Sequence, residues 1–533
     1  MPADVLVVGA GPVGLALALH AHGHGAGVRI VDRRTGPRPS RALVVHPRTL
    51  EQLRPLGVLD ALRRRALDEP RAIVHLGHRT VRVRLDELAV GDRPVDRPWL
   101  IRQQDVEDVL ARALVRDGVR VERGTSLEDL ASERPGACAL LRHRGGAERV
   151  AVRWVAGCDG AESTVRTLAG IPVASRAYRQ QVLLADVDLV PEPGGHLEPG
   201  AAHVTAARRG LLFVFALGEH APWRVLATRD GADPGLEGPP DRDELQQVLD
   251  ASGFRVRVER VAWSDRLRLT RRLARHYRRG PVLLAGDAAH SHSPAAAQGM
   301  NLGLQDAAAL GWRLALAGSA TEPEVLLGSY EDERRPVARA SIALTDLVFW
   351  AESSPGGAAG LLRGVVAPLA APLVPAVLRR RALTAPARRL LAGLGVDHRG
   401  SALSVDDLPR HRGFRPGDRL PDAPVLADRG PVRLHDLTAR PGVHVLLARN
   451  ARGLPYPVGP RVHVHRLRDR PGTTIIAVRP DGYIGHRGTD PAHLEDWLAA
   501  VGALDPSPGP RGRPIAGPRP SRGDGGPGSR DRR

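Results

Sequence analysis

Gly286-Asp287-Ala288-Ala289-His290, followed closely by Gln298-Gly299-Met300-Asn301-Leu302-Gly303, is the stretch of this 533-residue chain that decides its fold. The apolar run Val282-Leu283-Leu284-Ala285 leads into it, as expected of a buried strand that ends in a glycine turn. Residues 302–317, rich in Ala and Leu, predict a helix directly after it. Strand, turn and helix in this order predict an α/β fold.

A second glycine turn lies at the amino terminus, after the apolar strand predicted at residues 5–8 and before a helix that begins near Pro12. It has the spacing of a dinucleotide-binding turn: Gly9, Gly11 and Gly14. In such a turn the first glycine permits the bend, the second lets a pyrophosphate approach the backbone, and the third lets the helix pack on the sheet. The N–H groups of the helix start attract the phosphates. Asp32 ends the next strand, where it can bind the ribose of an adenosine.

A third motif, Cys158-Asp159-Gly160-Ala161-Glu162-Ser163-Thr164-Val165-Arg166, lies between these two turns. Three motifs in this order and spacing resemble those of the class A flavoprotein monooxygenases, which are single-component FAD hydroxylases. This family includes enzymes of the para-hydroxybenzoate hydroxylase, polyketide hydroxylase and rifampicin monooxygenase types. The resemblance covers residues 1–395 by motif. It implies FAD as the cofactor and NADPH or NADH as the co-substrate.

The resemblance also implies a set of FAD contacts. They are Gly9, Gly11, Pro12, Gly14, Asp32, Arg33, Arg41, Gln103, Asp159, Arg166, Gly286, Asp287, Pro294, Gly299, Met300 and Asn301. Asp287 is expected at the ribityl and pyrophosphate region, and Pro294 over the flavin ring. The helix start near Gly299 is expected at the pyrimidine edge, where its dipole stabilises anionic reduced flavin. The family usually has Gly-Gly where this chain has Ala296-Ala297, so crowding of the isoalloxazine is expected.

The implied reaction has two halves. NADPH or NADH reduces FAD and leaves, and dioxygen then gives a flavin C4a-hydroperoxide that transfers one oxygen atom to an aromatic, phenolic or polyketide-like substrate. An FAD oxidoreductase of the same fold without hydroxylation, or a Baeyer–Villiger monooxygenase, stays open as an alternative. No Trp-x-Trp pair of the flavin halogenases occurs in the sequence. No catalytic residue is identified, because His203 and His220 are candidate bases by residue type alone.

Two further stretches match the family. Gln103 is favoured over Gln104 as the FAD contact because it stands four residues before Glu107. Residues 330–336 resemble a segment that packs late in the second FAD-binding stretch, and they predict an exposed helix start that ends or turns near Pro336.

The pattern along the chain predicts a Rossmann-like FAD-binding domain, an inserted α+β substrate domain and a C-terminal thioredoxin-like domain. The expected bounds are 1–175 and 269–400 for the FAD-binding domain with a helical connector, 176–268 for the substrate domain, 408–505 for the C-terminal domain and 506–533 for a disordered tail. The thioredoxin-like assignment follows from the resemblance. No Cys occurs in that domain, which excludes Cys-x-x-Cys chemistry there.

Composition excludes several other classes. The 77 basic residues are all Arg and give a net charge of +18, but they are spread along the chain rather than gathered on one face, which disfavours a nucleic-acid partner. Two cysteines cannot form a disulfide framework, which favours the cytoplasm. The apolar stretch 364–378 carries three prolines, which argues against a membrane span. His290 and His292 lack further ligands nearby, so no metal is expected. The expected partners are a small aromatic substrate and dioxygen, with the chain a monomer or homodimer.

Overall fold

A computed structural model was used for the protein. It describes residues 3–36, 42–67, 71–76, 79–84, 87, 89–133, 135–195, 197–198, 200–207, 210–218, 220–229, 238–294, 297–353, 357, 361, 366, 369, 376–377, 380–408 and 413–504. The predicted disordered tail, 506–533, lies outside the described residues.

The described chain alternates strands and helices. The strands are β1 (Val5–Val8), β2 (Val28–Asp32), β3 (Val44–Val45), β4 (Arg71–Leu76), β5 (Arg79–Arg84), β6 (Trp99–Leu100), β7 (Val121–Arg123), β8 (Ser126–Glu133), β9 (Gly136–His143), β10 (Gly146–Val152), β11 (Trp154–Gly157), β12 (Val173–Pro191), β13 (Ala201–Ala207), β14 (Gly210–Phe215), β15 (Trp223–Arg229), β16 (Val256–Ala274), β17 (Arg278–Arg279), β18 (Val282–Leu284), β19 (His290–Ser291), β20 (Val405–Asp406), β21 (Pro424–Ala427), β22 (Gly430–Arg433), β23 (Val443–Ala448), β24 (Val462–Leu467), β25 (Ile475–Val478) and β26 (Ile484–Gly488). The helices are α1 (Pro12–Gly23), α2 (Pro47–Leu53), α3 (Leu59–Arg63), α4 (Gln103–Arg116), α5 (Thr164–Leu168), α6 (Arg242–Ala251), α7 (Gly299–Leu316), α8 (Pro323–Ser353), α9 (Arg381–Leu391), α10 (Leu434–Leu437) and α11 (Pro491–Ala500). Short 3₁₀ helices cover Arg54–Leu56, Pro94–Asp96 and Gly286–Ala288.

The first sheet brings the three sequence motifs together. Its order is β17-β18-β11-β1-β2-β7, and β1 runs parallel to both β2 and β11 while β11 runs parallel to β18. Val8 pairs with Gly157, and Gly157 pairs with Leu284. Val8 and Gly157 directly precede their motifs, and Leu284 lies two residues before Gly286. The carboxyl ends of neighbouring parallel strands therefore place all three motifs at one edge of the sheet, where open α/β sheets bind ligands.

A second sheet has eight strands in the order β19-β16-β12-β15-β14-β13-β4-β5. One of its faces packs on α6 through Leu245 and Leu249. Its other face packs on Leu43 and Leu100 of the first domain and on Phe349 of α8. Strands β4 and β5 belong to residues 71–84, so this sheet draws on chain outside the range 176–268 expected for the substrate domain.

A third, seven-stranded sheet lies in the C-terminal part, in the order β20-β26-β25-β23-β24-β21-β22. Its central strand β23 is parallel to β24 and antiparallel to β25. The core of this part includes Trp497 of α11, which is nearly fully buried. The thioredoxin-like assignment and the domain bounds stay predictions.

Helix α8 corrects one expectation. The sequence predicts an exposed helix start that ends near Pro336, but α8 continues through that proline for 31 residues in all. Tyr330, Glu333 and Arg334 in the turn before it are buried. Their packing and hydrogen bonds outweigh the backbone bond that proline removes, so tertiary contacts override local propensity here. In the part of the chain that the structure describes, no helix is both long and apolar enough to cross a bilayer.

Candidate functional site

The amino-terminal turn is shaped by close backbone packing. Gly9 has a φ of 103°, and a Cβ there would lie 2.4 Å from the Cys158 carbonyl oxygen. A Cβ on Gly14 would lie 1.9 Å from the Gly9 carbonyl oxygen. A Cβ on Gly11 would have no atom within 4 Å. Packing thus requires the first and third glycines, whereas Gly11 faces open space at the start of α1, where no side chain caps the helix.

Hydrogen-bond donors of the protein occupy much of the Asp32 carboxylate. Its carboxylate accepts hydrogen bonds from the Ala10 N–H at 2.8 Å, the Arg34 N–H at 2.8 Å and the Arg34 guanidinium at 3.1 and 3.2 Å. Burial alone would raise the pKa of Asp32, but the bonds from Arg34 and Ala10 outweigh it and hold the pKa below its usual value. A ribose at Asp32 would share the carboxylate with Arg34. Arg33, the predicted contact, is exposed.

The central motif ties the other two together. Asp159 accepts hydrogen bonds from the Ser163 hydroxyl at 2.5 Å and the Val165 N–H at 3.1 Å, so it caps the short helix α5. Arg166 donates to the Ala288 carbonyl at 2.9 Å and to the Ala161 carbonyl at 2.9 Å. The guanidinium therefore joins the motif at residues 158–166 to the Gly286 turn at the sheet edge.

A buried network that the sequence did not indicate supports the Gly286 turn. Asp306 of α7 accepts a hydrogen bond from the Gly286 N–H at 3.1 Å, contacts His290 Nε2 at 2.5 Å and pairs with Arg334 Nε at 2.7 Å. Burial would raise the pKa of Asp306, but His290 and Arg334 outweigh it and lower the pKa. His290 therefore holds the turn in place. Among the described residues, no group of three or more His, Cys, Asp or Glu side chains is arranged to hold a metal ion.

The start of α7 is fixed by Asn301. This buried side chain donates to the carbonyls of Val44 and Ala297, each at 2.9 Å, and accepts from the His46 N–H at 2.8 Å. A Cβ on Gly299 would have no atom within 4 Å, and no side chain caps the helix. The first N–H groups of any α-helix lack partners within the helix, so the start of α7 can donate to a ligand.

The remaining predicted contacts lie around this edge. Gln103 donates to the Glu107 carboxylate at 2.8 Å, and burial raises the pKa of Glu107. Asp287 and Pro294 are exposed, whereas Met300 is buried. Arg41, together with Ala296, lies outside the described residues. None of these positions is tested as an FAD contact, and each stays a prediction.

Comparison with known proteins agrees with this geometry. The model of the FAD binding domain family matches residues 2–345, more than half of the chain. The 6-methylpretetramide 4-monooxygenase of Streptomyces rimosus is 35% identical over 76% of this chain and 70% of its own length. This chain belongs to the FAD-dependent monooxygenase family. The anhydrotetracycline hydroxylase from Streptomyces rimosus superposes with a TM-score of 0.73 at 28% identity, covering 95% of this chain and 100% of that one. The dialkyldecalin synthase of Streptomyces rugosporus is 29% identical over 93% of this chain and 99% of its own length.

The residues of this monooxygenase fit FAD. Two helix starts without side-chain caps, those of α1 and α7, border the edge where the three motifs meet. Open space in front of Gly11 and Gly299 leaves room for a ligand to reach the backbone N–H groups. Such helix starts favour the negative charge of a pyrophosphate and of reduced flavin. The expectation of FAD as the cofactor is confirmed by the family.

The two candidate bases lie on different faces of the eight-stranded sheet. His203 is fully buried on the α6 side, hydrogen-bonded to His75 at 3.1 Å and in edge contact with Phe254. His220 is half exposed, and its Nδ1 lies 3.1 Å from the buried Asp186 carboxylate. A histidine oriented by a carboxylate is the arrangement of a general base.

Asp186 is itself held in place. Arg224 binds its two carboxylate oxygens at 2.7 and 2.9 Å, and both side chains are fully buried. In the strand register Asp186 pairs with Arg224, which pairs with Phe215. Paired residues point to the same face of a sheet, and Phe215 packs with Leu43 and Leu100 of the first domain. The Asp186 carboxylate therefore lies on the face turned toward the predicted flavin site.

Proposed function

We propose that this FAD-dependent monooxygenase consumes NADPH or NADH and inserts one atom of dioxygen into an aromatic, phenolic or polyketide-like substrate. The observation that carries the proposal is the apolar sheet face turned toward the first domain. Phe213 and Phe215 stack there with ring centroids 5.9 Å apart and an interplanar angle of 2°. Flat aromatic rings suit a planar, polycyclic ligand. The names of the tetracycline-pathway relatives point to the same substrate class.

Bound FAD would accept a hydride and activate dioxygen. The proposed contacts are those assigned above from the motifs. The α1 start and Gly11 bind the pyrophosphate, and the α7 start stabilises negative charge on the reduced ring. Arg166, Asn301 and Asp306 hold the three turns in register. The face of the eight-stranded sheet orients the substrate and excludes water.

We further infer that His220 accepts the proton of a phenolic substrate. Asp186 forms a hydrogen bond with Nδ1 of His220, so Nε2 of His220 is left to act as the base. Losing the proton makes the ring electron-rich and ready for electrophilic oxygen. For the whole protein, we propose a cytoplasmic monomer or homodimer whose partners are small molecules. The two cysteines, which are both free, support this location.

The first experiment measures NADPH oxidation by the purified protein with bound FAD, with and without a panel of phenols and polycyclic aromatic polyketides, and records hydrogen peroxide at the same time. The expected result is substrate-stimulated oxidation with one ¹⁸O atom from labelled dioxygen in the product and little peroxide. Oxidation that yields peroxide alone with every aromatic compound would overturn the proposal.

A second candidate is an FAD-binding enzyme that performs no net oxygen transfer. The dialkyldecalin synthase relative favours it. The same assay separates the two functions, because this candidate would form product without NADPH consumption and without ¹⁸O.

A further inference from the structure

Strand β12 is irregular next to the predicted flavin site. Its pairing with β16 shifts register between Ala177 and Gln181, so residues 178–180 bulge out of the ladder. Bulges commonly lie beside active sites, where they re-aim a side chain. Here the bulge carries Tyr178.

Tyr178 joins the sheet to α8. Its hydroxyl donates a hydrogen bond to Asp346 Oδ1, and Arg271 of β16 binds the other carboxylate oxygen at 2.6 Å. The Tyr178 ring lies edge-on to Phe349, with centroids 5.2 Å apart at 77°. The ring is thus held by packing and the hydroxyl by a carboxylate, which together specify one orientation.

The loop that carries Pro294 meets α8 beside the same carboxylate. Ser293 is buried, and its hydroxyl donates weakly, at 3.4 Å, to the carbonyl of Thr345, the residue before Asp346. Burial and the hydrogen bond to Asp346 raise the pKa of Tyr178. The phenol and the loop 291–294 are therefore fixed to adjacent residues of α8.

We propose that Tyr178 is a positioning residue that clamps the loop 291–294, and with it Pro294, against α8 beside the flavin. The inference rests on the proposed function only in placing FAD at this loop. Asp346 and Arg271 complete the clamp by holding the phenol. A loop held in one position excludes water and keeps the ring where oxygen transfer to substrate outpaces release of peroxide.

Tyr178→Phe tests the clamp, because it keeps the ring on Phe349 and removes only the hydroxyl. Asp346→Asn and the double variant complete a cycle, and Tyr456→Phe is the matched control, since that hydroxyl donates to the Pro491 carbonyl in the C-terminal part. The first readout is amide hydrogen exchange of residues 290–301 in the FAD-free protein. The second is the ratio of peroxide to product in the FAD-loaded protein.

We expect Tyr178→Phe to speed exchange in residues 290–301 about fivefold, as for loss of one hydrogen bond, and to raise the peroxide ratio several-fold at an unchanged rate of flavin reduction. The double variant should be no worse than Asp346→Asn alone, since the hydroxyl acts through that carboxylate. Unchanged exchange, or additive effects, would overturn the clamp. If the wild type oxygenates nothing, the proposed function fails while the exchange readout still decides the clamp. Thermal unfolding identifies a variant that does not fold, and Asp346→Asn then carries the test.

Discussion

Ala297 holds a backbone conformation that side chains disfavour. Its φ of 51° is the one positive φ of a non-glycine residue in the described part of the chain. The left-handed region costs an alanine about 1–2 kcal/mol. The family resemblance has glycine here, so the alanine stores strain beside the predicted flavin edge.

Ala297→Gly should therefore stabilise the protein by about 0.5 kcal/mol, the relieved strain less the entropy that glycine adds to the unfolded chain. Chemical denaturation of the FAD-free protein measures it. Ala308→Gly, inside α7, is the matched control and should cost about 1 kcal/mol. Equal destabilisation by both changes would contradict the strain at residue 297.

His220 is the proposed base for a phenolic substrate. His220→Gln keeps a side chain that can hydrogen-bond Asp186 but removes the proton acceptor, so kcat should fall about 10²–10⁴-fold with a phenolic substrate. His203→Gln is the control, and it should lower stability while leaving kcat near that of wild type. An unchanged kcat in His220→Gln would remove the residue from the reaction.

At the scale of the element, the turn between β1 and α1 contains glycines with two different roles. Packing requires Gly9 and Gly14, whereas Gly11 is predicted to leave room for a ligand. Gly14→Ala forces its Cβ against the Gly9 carbonyl, 1.9 Å away. Gly11→Ala meets no protein atom within 4 Å. The two substitutions add the same methyl group three residues apart, so they form a matched pair.

Gly14→Ala should fail to fold or lose several kcal/mol. Gly11→Ala should leave the unfolding of the FAD-free protein within about 0.5 kcal/mol of wild type, yet weaken FAD binding at least about tenfold because the pyrophosphate no longer reaches the backbone. Denaturation and fluorescence titration with FAD measure the two effects. A Gly11→Ala protein that binds FAD as wild type would exclude the predicted pyrophosphate position.

For the whole molecule, a buried ionic cluster joins the C-terminal part to the first domain. Arg479 binds both oxygens of Glu333 on α8 at 2.7 Å, and Arg313 of α7 lies 2.8 Å from Glu333 and 3.3 Å from Asp481. Burial would raise the pKa of Glu333, but Arg313 and Arg479 outweigh it and hold the pKa well below its usual value. The C-terminal sheet is thereby bound to α8 and to α7, the helix that begins with three of the predicted FAD contacts.

Arg479→Met leaves Glu333 and Asp481 with less positive charge in a buried site, so it should cost about 3–5 kcal/mol. Arg468→Met is the control, because the Arg468–Asp428 pair is exposed and should contribute less than about 1 kcal/mol. Chemical denaturation, monitored by the release of bound flavin, measures the free energy of unfolding of both variants. Equal, small losses would show that the cluster does not hold the parts together.

A histidine cluster at the same junction predicts a pH dependence. Burial lowers the pKa of His24, directly after α1, to about 4 and that of His444 on β23 to about 3. The folded state thus keeps these rings neutral while the unfolded chain protonates them below about pH 6.5. The stability that these neutral, buried rings provide is complete above about pH 6.5 and is lost as the pH falls toward 4. The hydrogen bond from His444 to the Arg440 carbonyl raises the pKa of His444, whereas the neighbouring His463 and His465 lower it further.

The melting temperature should therefore fall steadily between pH 6.5 and 5. Each such histidine lowers the free energy of unfolding by up to about 1.4 kcal/mol per pH unit. His24→Asn/His444→Asn should flatten this slope. His276→Asn is the control, since His276 is largely exposed, and should leave the slope as it is. A slope unaffected by the double change would assign the pH dependence to other groups.

The sequence by itself determined the three motifs, their order and the FAD-binding fold, because glycine turns and apolar strands are set by contacts within a few residues. It did not indicate Asp306 or Arg334, and it missed the pairing of Tyr178 with Asp346, 168 positions away. The sequence also predicted that a helix ends near Pro336, whereas that helix continues through the proline. Only the tertiary structure decided these features, since buried charges and hydroxyls find their partners across packed elements, and such packing outweighs local propensity.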